Sequence, residues 1–418
     1  MIETGELIYL VCAVIFCFMM TWGVGANDLA NVMSPTMGSK AISVKQAIFL
    51  AILFEFLGAF FGGSNVTETM RDGIIDISRL DDNPKILIEG MLALLLAGTI
   101  WMNLASYLGL PVSITNAIVG SMVGFGSVVL GLDSIHWAQV TKIATSWICS
   151  PLLAGVLAYL IMLSIQVFIF GRRDPVGQAK LLLPIYLFAV GIILAFITVF
   201  KGIDHFHIEL ALGSDLLLIL ASSITFTTIG LFFIKKVPTD NVKKRRDRFA
   251  VVEKKFAIIV AFTTCAMVFA HGANDVSIAI GPLSVIYSLV HHVKEFSPES
   301  YPSWITLLGC AGVVSGFVLY GRKVIETVGS SITALTPSRA FAATIAAAST
   351  VVFSTSTGIP VSATQTLVGA VLGVGLTKGI GALNLIVIRN IFMSWIVTLP
   401  VSSILTIACY HLIHYIDG

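Results

Sequence analysis

The chain has 418 residues, of which 56% are hydrophobic and only 11% are charged, and its formal net charge is +2. Soluble domains carry about 25% charged residues, and a single soluble core cannot hold this much apolar surface. The composition therefore excludes soluble enzymes, nucleic-acid binders and secreted disulfide scaffolds, and it predicts an all-α polytopic membrane protein.

Twelve apolar segments follow one another along the chain. Each is predicted to be a helix, because the bilayer offers no partner to an unpaired backbone group. They cover 7–26, 42–63, 86–108, 111–131, 138–170, 181–200, 209–234, 256–273, 304–320, 341–357, 360–376 and 381–412. The two longest contain Pro151 and Pro400, so we expect kinked or strongly tilted helices there.

The second half of the sequence repeats motifs of the first half in the same order. GAND at 25–28 recurs at 272–275, and 109–126 matches 358–375 at nine of eighteen positions. The chain is therefore interpreted as a tandem duplication with an insertion. The predicted units are a first repeat at 1–175, two central spanning helices at 176–234, a basic loop at 235–255 and a second repeat at 256–418.

The two repeats are predicted to have opposite orientations in the membrane. Between the two GAND motifs the chain makes five crossings, or seven if 86–108 and 111–131 both span instead of forming a re-entrant hairpin. Either number is odd, which gives the inverted layout of many secondary transporters. Nine of the 25 basic residues fall in 235–255. Basic loops stay in the cytoplasm, so both termini are expected outside.

Two Asn-Asp pairs, Asn27-Asp28 and Asn274-Asp275, lie at the ends of apolar helices. A carboxylate at membrane depth costs about 2.5–3.5 kcal/mol and needs a partner or a water-filled site. One interpretation is a helix cap at the membrane surface. The other is a broken helix whose carbonyl and Asp oxygens bind a hard cation such as sodium. The symmetric repetition of the pair favours the broken-helix cation site.

Two further segments, 111–115 and 360–364, share the pattern Pro-Val-Ser-x-Thr and predict the starts of paired hairpin helices. A helix start attracts anions through unpaired N–H groups and the helix dipole. Two such starts facing each other would hold a tetrahedral oxyanion, although capping and small-residue packing also explain the motif. Carboxylates near this anion indicate cation-coupled anion import. The polar candidates for anion binding are Ser113, Thr115, Asn116, Ser362, Thr364 and Gln365.

Glu55 lies in the middle of a predicted span, without a basic residue near it in the sequence. It is a candidate coupling group, and an acid at the membrane interface is the alternative interpretation. His271 precedes the second GAND motif but has no counterpart before the first, so it is interpreted as a packed helix residue. Glu68 and Glu326 lie at span ends and are interpreted as surface residues. No common catalytic motif is present, so no enzymatic activity and no cofactor are expected.

The duplicated motifs resemble the signatures of the PiT family of inorganic phosphate transporters. The segments are GANDLAN (25–31), LGLPVSITNAIVG (108–120), AHGANDVSIAIGP (270–282) and TGIPVSATQTLVG (357–369). The resemblance covers essentially the whole chain and implies phosphate import driven by sodium or protons. It also implies a homodimer in a bacterial inner membrane. Thr344 departs from the family pattern, in which many members carry a glutamate.

Together these observations predict a secondary active importer of inorganic phosphate that works by alternating access around a midplane site. Asp28 and Asp275, with Asn27 and Asn274, are expected to hold sodium. The two asparagines and the polar hairpin residues are expected to bind phosphate. A sulfate permease of the same fold is the alternative, and an anion channel is a weaker one. Phosphate carries protons that sulfate lacks at neutral pH, so an Asp that accepts a hydrogen bond from the ligand favours phosphate.

Overall fold

The computed structural model describes residues 4–62, 73–76, 80, 83–205, 212–238, 244–293, 302–330 and 332–417. Nearly all of these residues are helical, and nine of the described helical runs are long and apolar enough to cross a membrane. The prediction of an all-α polytopic membrane protein is confirmed. Glu68, one of the residues assigned to the surface, lies outside the described part of the chain.

Fifteen α-helices make up the described chain. In order they are α1 (Thr4–Val24), α2 (Ala30–Gly38), α3 (Val44–Gly62), α4 (Pro84–Leu108), α5 (Ile114–Val129), α6 (Trp137–Ile165), α7 (Pro175–His205), α8 (Leu212–Lys235), α9 (Arg245–His271), α10 (Ser277–Val290), α11 (Ser303–Tyr320), α12 (Arg322–Ser330), α13 (Pro337–Ser356), α14 (Ala363–Leu376) and α15 (Leu385–Asp417). Pro151 and Pro400 lie inside α6 and α15, which continue through them.

Both GAND segments are π-helical turns within longer helices. Gly25–Leu29 joins α1 to α2, and Gly272–Val276 joins α9 to α10 in one run over Arg245–Val290. The sequence predicted breaks at these points, since Gly, Asn and Asp favour helix ends. Instead the backbone stays paired and makes one wider turn, a feature often found at functional sites. Residues 277–290, which lie outside the predicted helical segments, are also helical.

Each half of the chain contains one helical hairpin, as predicted. Gly109 and Gly358 end the first helix of each hairpin with φ of +71° and +72°, a left-handed conformation that favours glycine. The hydroxyls of Ser113 and Ser362 then cap the second helices, α5 and α14. These helices have 16 and 14 residues, fewer than the ~20 needed to cross a bilayer. Their length fits a re-entrant hairpin.

Each hairpin contacts a long helix of the other half of the chain. Ser394 Oγ on α15 donates to the carbonyl of Pro111 at 3.2 Å. At the equivalent position of the first half, Ser146 Oγ on α6 donates to the carbonyl of Pro360 at 3.4 Å. Gly369 on α14 approaches α6 so closely that a Cβ there would lie 2.3 Å from the Pro151 carbonyl oxygen. The two halves therefore form one interlocked body around the hairpin tips.

Candidate ion and substrate site

The two Asn-Asp pairs are fully buried and lie against the hairpin tips. Asn27, Asp28, Asn274 and Asp275 are each at most 1% exposed. The π turns place them at the level where 109–113 and 357–362 connect the hairpin helices. The structure therefore brings together the pairs and the tips that the sequence identified separately.

Each asparagine binds the tip of the hairpin in its own half. Asn27 Nδ2 donates to the Leu110 carbonyl at 2.8 Å, and its Oδ1 accepts from the Val112 amide at 3.0 Å. Asn274 Nδ2 donates to the Val361 carbonyl at 2.7 Å, and its Oδ1 accepts from the amide of the same residue at 3.4 Å. In each case the side-chain amide pairs with one backbone carbonyl and one backbone N–H group of the tip. These bonds fix the position of each tip relative to its GAND turn.

Asp28 connects the two halves of the chain. Its Oδ2 accepts from the Ile114 amide at 3.2 Å, and its Oδ1 accepts from Thr364 Oγ1 at 2.7 Å. Ile114 begins the first hairpin's second helix, whereas Thr364 belongs to the second hairpin. Thr115, the counterpart of Thr364, donates instead to the Val361 carbonyl at 3.0 Å. Equivalent hydroxyls therefore have different partners in the two halves.

Asp275 belongs to a buried cluster with His271 and Glu55. His271 Nδ1 lies 2.6 Å from Glu55 Oε1, and His271 Nε2 lies 3.1 Å from Asp275 Oδ2, an ion-pair contact whose angle falls short of a hydrogen bond. Asp275 Oδ1 also accepts from Asn274 Nδ2. A histidine placed between two carboxylates offsets part of their repulsion. The interpretation of His271 as only a packing residue missed this contact.

The acid–histidine cluster surrounds Asp275 and has no equivalent at Asp28 among the described residues. A Cβ at Gly272 would lie 2.2 Å from the Glu55 carbonyl oxygen, and one at Gly25 would lie 1.7 Å from the Val313 carbonyl oxygen. These two close approaches make Val313 the counterpart of Glu55. Similarly, Val24 precedes the first GAND motif where His271 precedes the second. The two aspartates therefore have chemically different surroundings.

Asn116 and Gln365 line a cavity that the two Asn-Asp pairs do not line. They line an apolar cavity of about 580 Å³ between α6, α14 and α15, together with Trp147 and Trp395. Asn116 Nδ2 lies 3.5 Å from the Trp395 carbonyl. Within the described chain, Asn116 Oδ1 and Gln365 Oε1 have no hydrogen-bond partner. The face of α5 or α14 on which a residue lies depends on how the helix is rotated in the fold, and a linear motif does not specify that rotation. This rotation separates the two amides from the other candidates.

The oxygen atoms at the aspartates are of the type that hard cations prefer. Carboxylate, amide and backbone carbonyl oxygens are the usual ligands of such ions. Asp28, Asp275, Asn27 and Asn274 all present oxygen atoms here, and each of these oxygens has a protein donor or ion-pair contact in the present conformation. The Glu55 Oε2 atom is buried without a hydrogen-bond partner among the described residues. The chemistry of this donor set fits a hard cation.

Comparison with known proteins agrees with these features. The family model described as the phosphate transporter family matches residues 24–406. A putative phosphate permease of Haemophilus influenzae is 43% identical, over 96% of both chains, and one of Thermococcus kodakarensis is 39% identical, over 95% of this chain and 96% of its own.

A solved structure described as the sodium-dependent phosphate transporter has the same fold. It superposes with a TM-score of 0.88 at 34% identity, and the match covers 98% of this chain and 99% of the other. These similar proteins are transporters and not enzymes, as predicted. The resemblance found in the duplicated motifs is confirmed, and the chain belongs to the phosphate transporter family.

Proposed function

We propose that this phosphate transporter is a secondary active importer that couples inorganic phosphate to sodium by alternating access. The observation that carries the proposal is the position of two buried carboxylates, Asp28 and Asp275, against the starts of two hairpin helices. Helix starts attract an anion, whereas the carboxylates repel it. Cations between them resolve this conflict, so that cation and anion bind together and neither binds well alone.

Asp28 and Asp275 are proposed as sodium ligands, with Asn27 and Asn274 contributing their amide oxygens. The similar solved structure is described as sodium-dependent, which supports sodium as the coupling ion. Proton coupling is the alternative, and Glu55 is then the candidate proton carrier because it is fully buried. In either case no resident cofactor takes part.

Phosphate is proposed to bind between the hairpin tips. In the present conformation the Ile114 amide and the Thr364 hydroxyl both donate to Asp28. A cation at Asp28 neutralises that carboxylate and leaves both donors available to phosphate. Ser113, Thr115, Ser362 and Thr364, with Asn27 and Asn274, are the proposed first contacts. Asn116 and Gln365 complete the proposed set when the tips move between states.

The location and assembly of the protein are part of the proposal. We place it in a bacterial inner membrane as a homodimer surrounded by lipid, with both termini outside and 235–255 in the cytoplasm. The described part of that loop supports the orientation, because Lys244, Arg245, Arg246 and Arg248 lie together at the start of α9. The inverted relation of the repeats agrees with the crossed hairpin contacts.

The test is uptake of radiolabelled phosphate into proteoliposomes under an imposed sodium gradient, a proton gradient or neither. Accumulation driven by sodium alone is expected. Accumulation driven only by protons would indicate that Glu55, and not the aspartates, is the coupling group. Uptake of sulfate instead of phosphate would refute the proposal that phosphate is the substrate.

The same assay tests the site residues. Asp28→Asn and Asp275→Asn are each expected to reduce phosphate accumulation to the level of empty vesicles, because an amide cannot supply the negative charge that holds the cation. Asp174→Asn, at an exposed position, is the matched control and should transport normally. Normal accumulation by both site variants would show that the aspartates do not bind the coupling ion.

A further inference from the structure

Asn31 carries a buried side-chain amide that has no hydrogen-bond partner among the described residues. Its side chain is 0% exposed, and within the described residues neither Nδ2 nor Oδ1 has a hydrogen-bond partner. A buried polar group without a partner is strongly unfavourable. Native proteins therefore keep such groups rare, and each one needs an explanation, of which a bound ligand, ion or water is one.

Asn31 lies one helical turn beyond the first Asn-Asp pair. It lies on α2, four residues after Asn27 and three after Asp28. Residues three and four apart share one face of a helix. Asn27 and Asp28 use that face to contact the hairpin tips, and α2 also packs against α13 and α14 of the second hairpin. Asn31 therefore extends the same face by one turn.

The second half offers no equivalent amide. The residue that corresponds to Asn31 in the second GAND segment is Ile278, which is also fully buried. A purely structural need for an amide after each π turn would affect both copies. The polar group is present in one copy only, so the ligand is bound unequally by the two halves.

A buried polar contact joins α2 to α9 beyond the aspartates. Thr36 on α2 and Thr264 on α9 form a buried hydrogen bond of 2.7 Å. The part of α2 that follows Asp28 therefore runs beside the part of α9 that precedes Asp275. Asn31 lies in the former segment and His271 in the latter. A ligand that reaches this part of α2 would meet both a donor and an acceptor on Asn31.

We infer that Asn31 contacts the transported phosphate and selects a protonated tetrahedral oxyanion. Nδ2–H donates to an unprotonated phosphate oxygen, and Oδ1 accepts from a P–OH group. Sulfate has no proton at neutral pH and cannot satisfy Oδ1. A bound cation would use Oδ1 and leave Nδ2 unpaired. This inference rests on the proposed phosphate site and adds the residue that distinguishes phosphate from sulfate.

The test compares Asn31→Leu, which keeps the size of the side chain and removes both polar atoms, with Ile278→Leu as the matched control. Sodium-driven phosphate uptake is measured in proteoliposomes with unlabelled arsenate or sulfate as competitor. Asn31→Leu should raise the phosphate KM by about 10- to 100-fold, the effect of losing hydrogen bonds to a charged ligand. Arsenate also carries a proton, so its ability to compete with phosphate should fall by the same factor. Sulfate should compete only weakly with phosphate in the wild type, and this competition should not change. Ile278→Leu should leave the phosphate KM and the competition by arsenate and by sulfate unchanged.

Two results would overturn the inference. One is an unchanged phosphate KM and an unchanged phosphate-to-sulfate ratio. The other is a shifted sodium half-saturation with normal phosphate KM, which would make Asn31 a cation ligand. If Asn31→Leu does not fold, Asn31→Ser is used instead. The rise in its thermal unfolding temperature on adding phosphate is then compared with the rise on adding sulfate, and with the same two values for the wild type. Failure of the wild type to accumulate phosphate would instead refute the proposed function.

Discussion

A single methyl group at Gly272 is expected to disable transport without removing any polar atom of the site. In Gly272→Ala the new Cβ would lie 2.2 Å from the Glu55 carbonyl oxygen and 3.1 Å from the Ala59 amide nitrogen. Ordinary contacts begin at 3.4 Å, so α3 and the π turn must separate by about 1.2 Å. Both colliding groups are backbone atoms, and no rotamer change can relieve the contact. Overpacking of this kind costs about 1–3 kcal/mol.

The same displacement changes the geometry of the acid–histidine cluster. His271 precedes Gly272 and holds Glu55 at 2.6 Å, and a shift of about 1 Å breaks that contact. A 1 Å misplacement at a reacting site reduces rates on the order of 100-fold, so we expect a similar loss in the initial rate of sodium-driven phosphate uptake. Gly381→Ala, with no atom within 4 Å of its new Cβ, is the control. A Gly272→Ala protein that transports at the wild-type rate would refute the reasoning.

Two further predictions concern residues that the structure pairs across the chain. His271→Phe keeps a ring but removes the imidazole that lies between Glu55 and Asp275. Phosphate uptake and the thermal unfolding temperature should therefore both fall. Unchanged values in both measurements would show that the cluster has no role. Glu253 accepts hydrogen bonds of 2.8 Å from both the amide and the hydroxyl of Ser338, at the start of α13. Glu253→Gln should therefore lower stability by about 1 kcal/mol in thermal unfolding while the phosphate KM stays the same, and a changed KM with normal stability would contradict this assignment.

The helices and hairpins could be predicted because the membrane restricts the possible structures. An apolar run must be helical in lipid, and glycine followed by proline and a capping serine marks a hairpin tip. Gly109 and Ser113, with Gly358 and Ser362, have these roles in the structure. The aspartates could be selected as candidates because a buried charge is costly and the motif is duplicated.

The remaining features depend on contacts between distant segments. His271 and Glu55 are 216 positions apart, and because Val24 stands at the equivalent position of the first copy, the sequence favoured a packing role for the histidine. Its spacing of four residues from Asp275 was the one local signal, since such residues share a helix face. The GAND turns were expected to break, but burial requires the backbone to stay paired, and a π turn achieves this. The rotation that separates Asn116 from the aspartates is likewise set by packing.

The crossed seating of the hairpins has a consequence for how the protein is synthesised. The first hairpin leaves the ribosome long before α15, yet the Pro111 carbonyl at its tip receives its hydrogen bonds from Ser394 and Trp395. The first tip therefore reaches its final position only after the last helix has entered the membrane. A chain that ends before α15 should insert its early helices and still lack these contacts at the first tip. Insertion of α15 is thus the step that fixes the tip of the first hairpin.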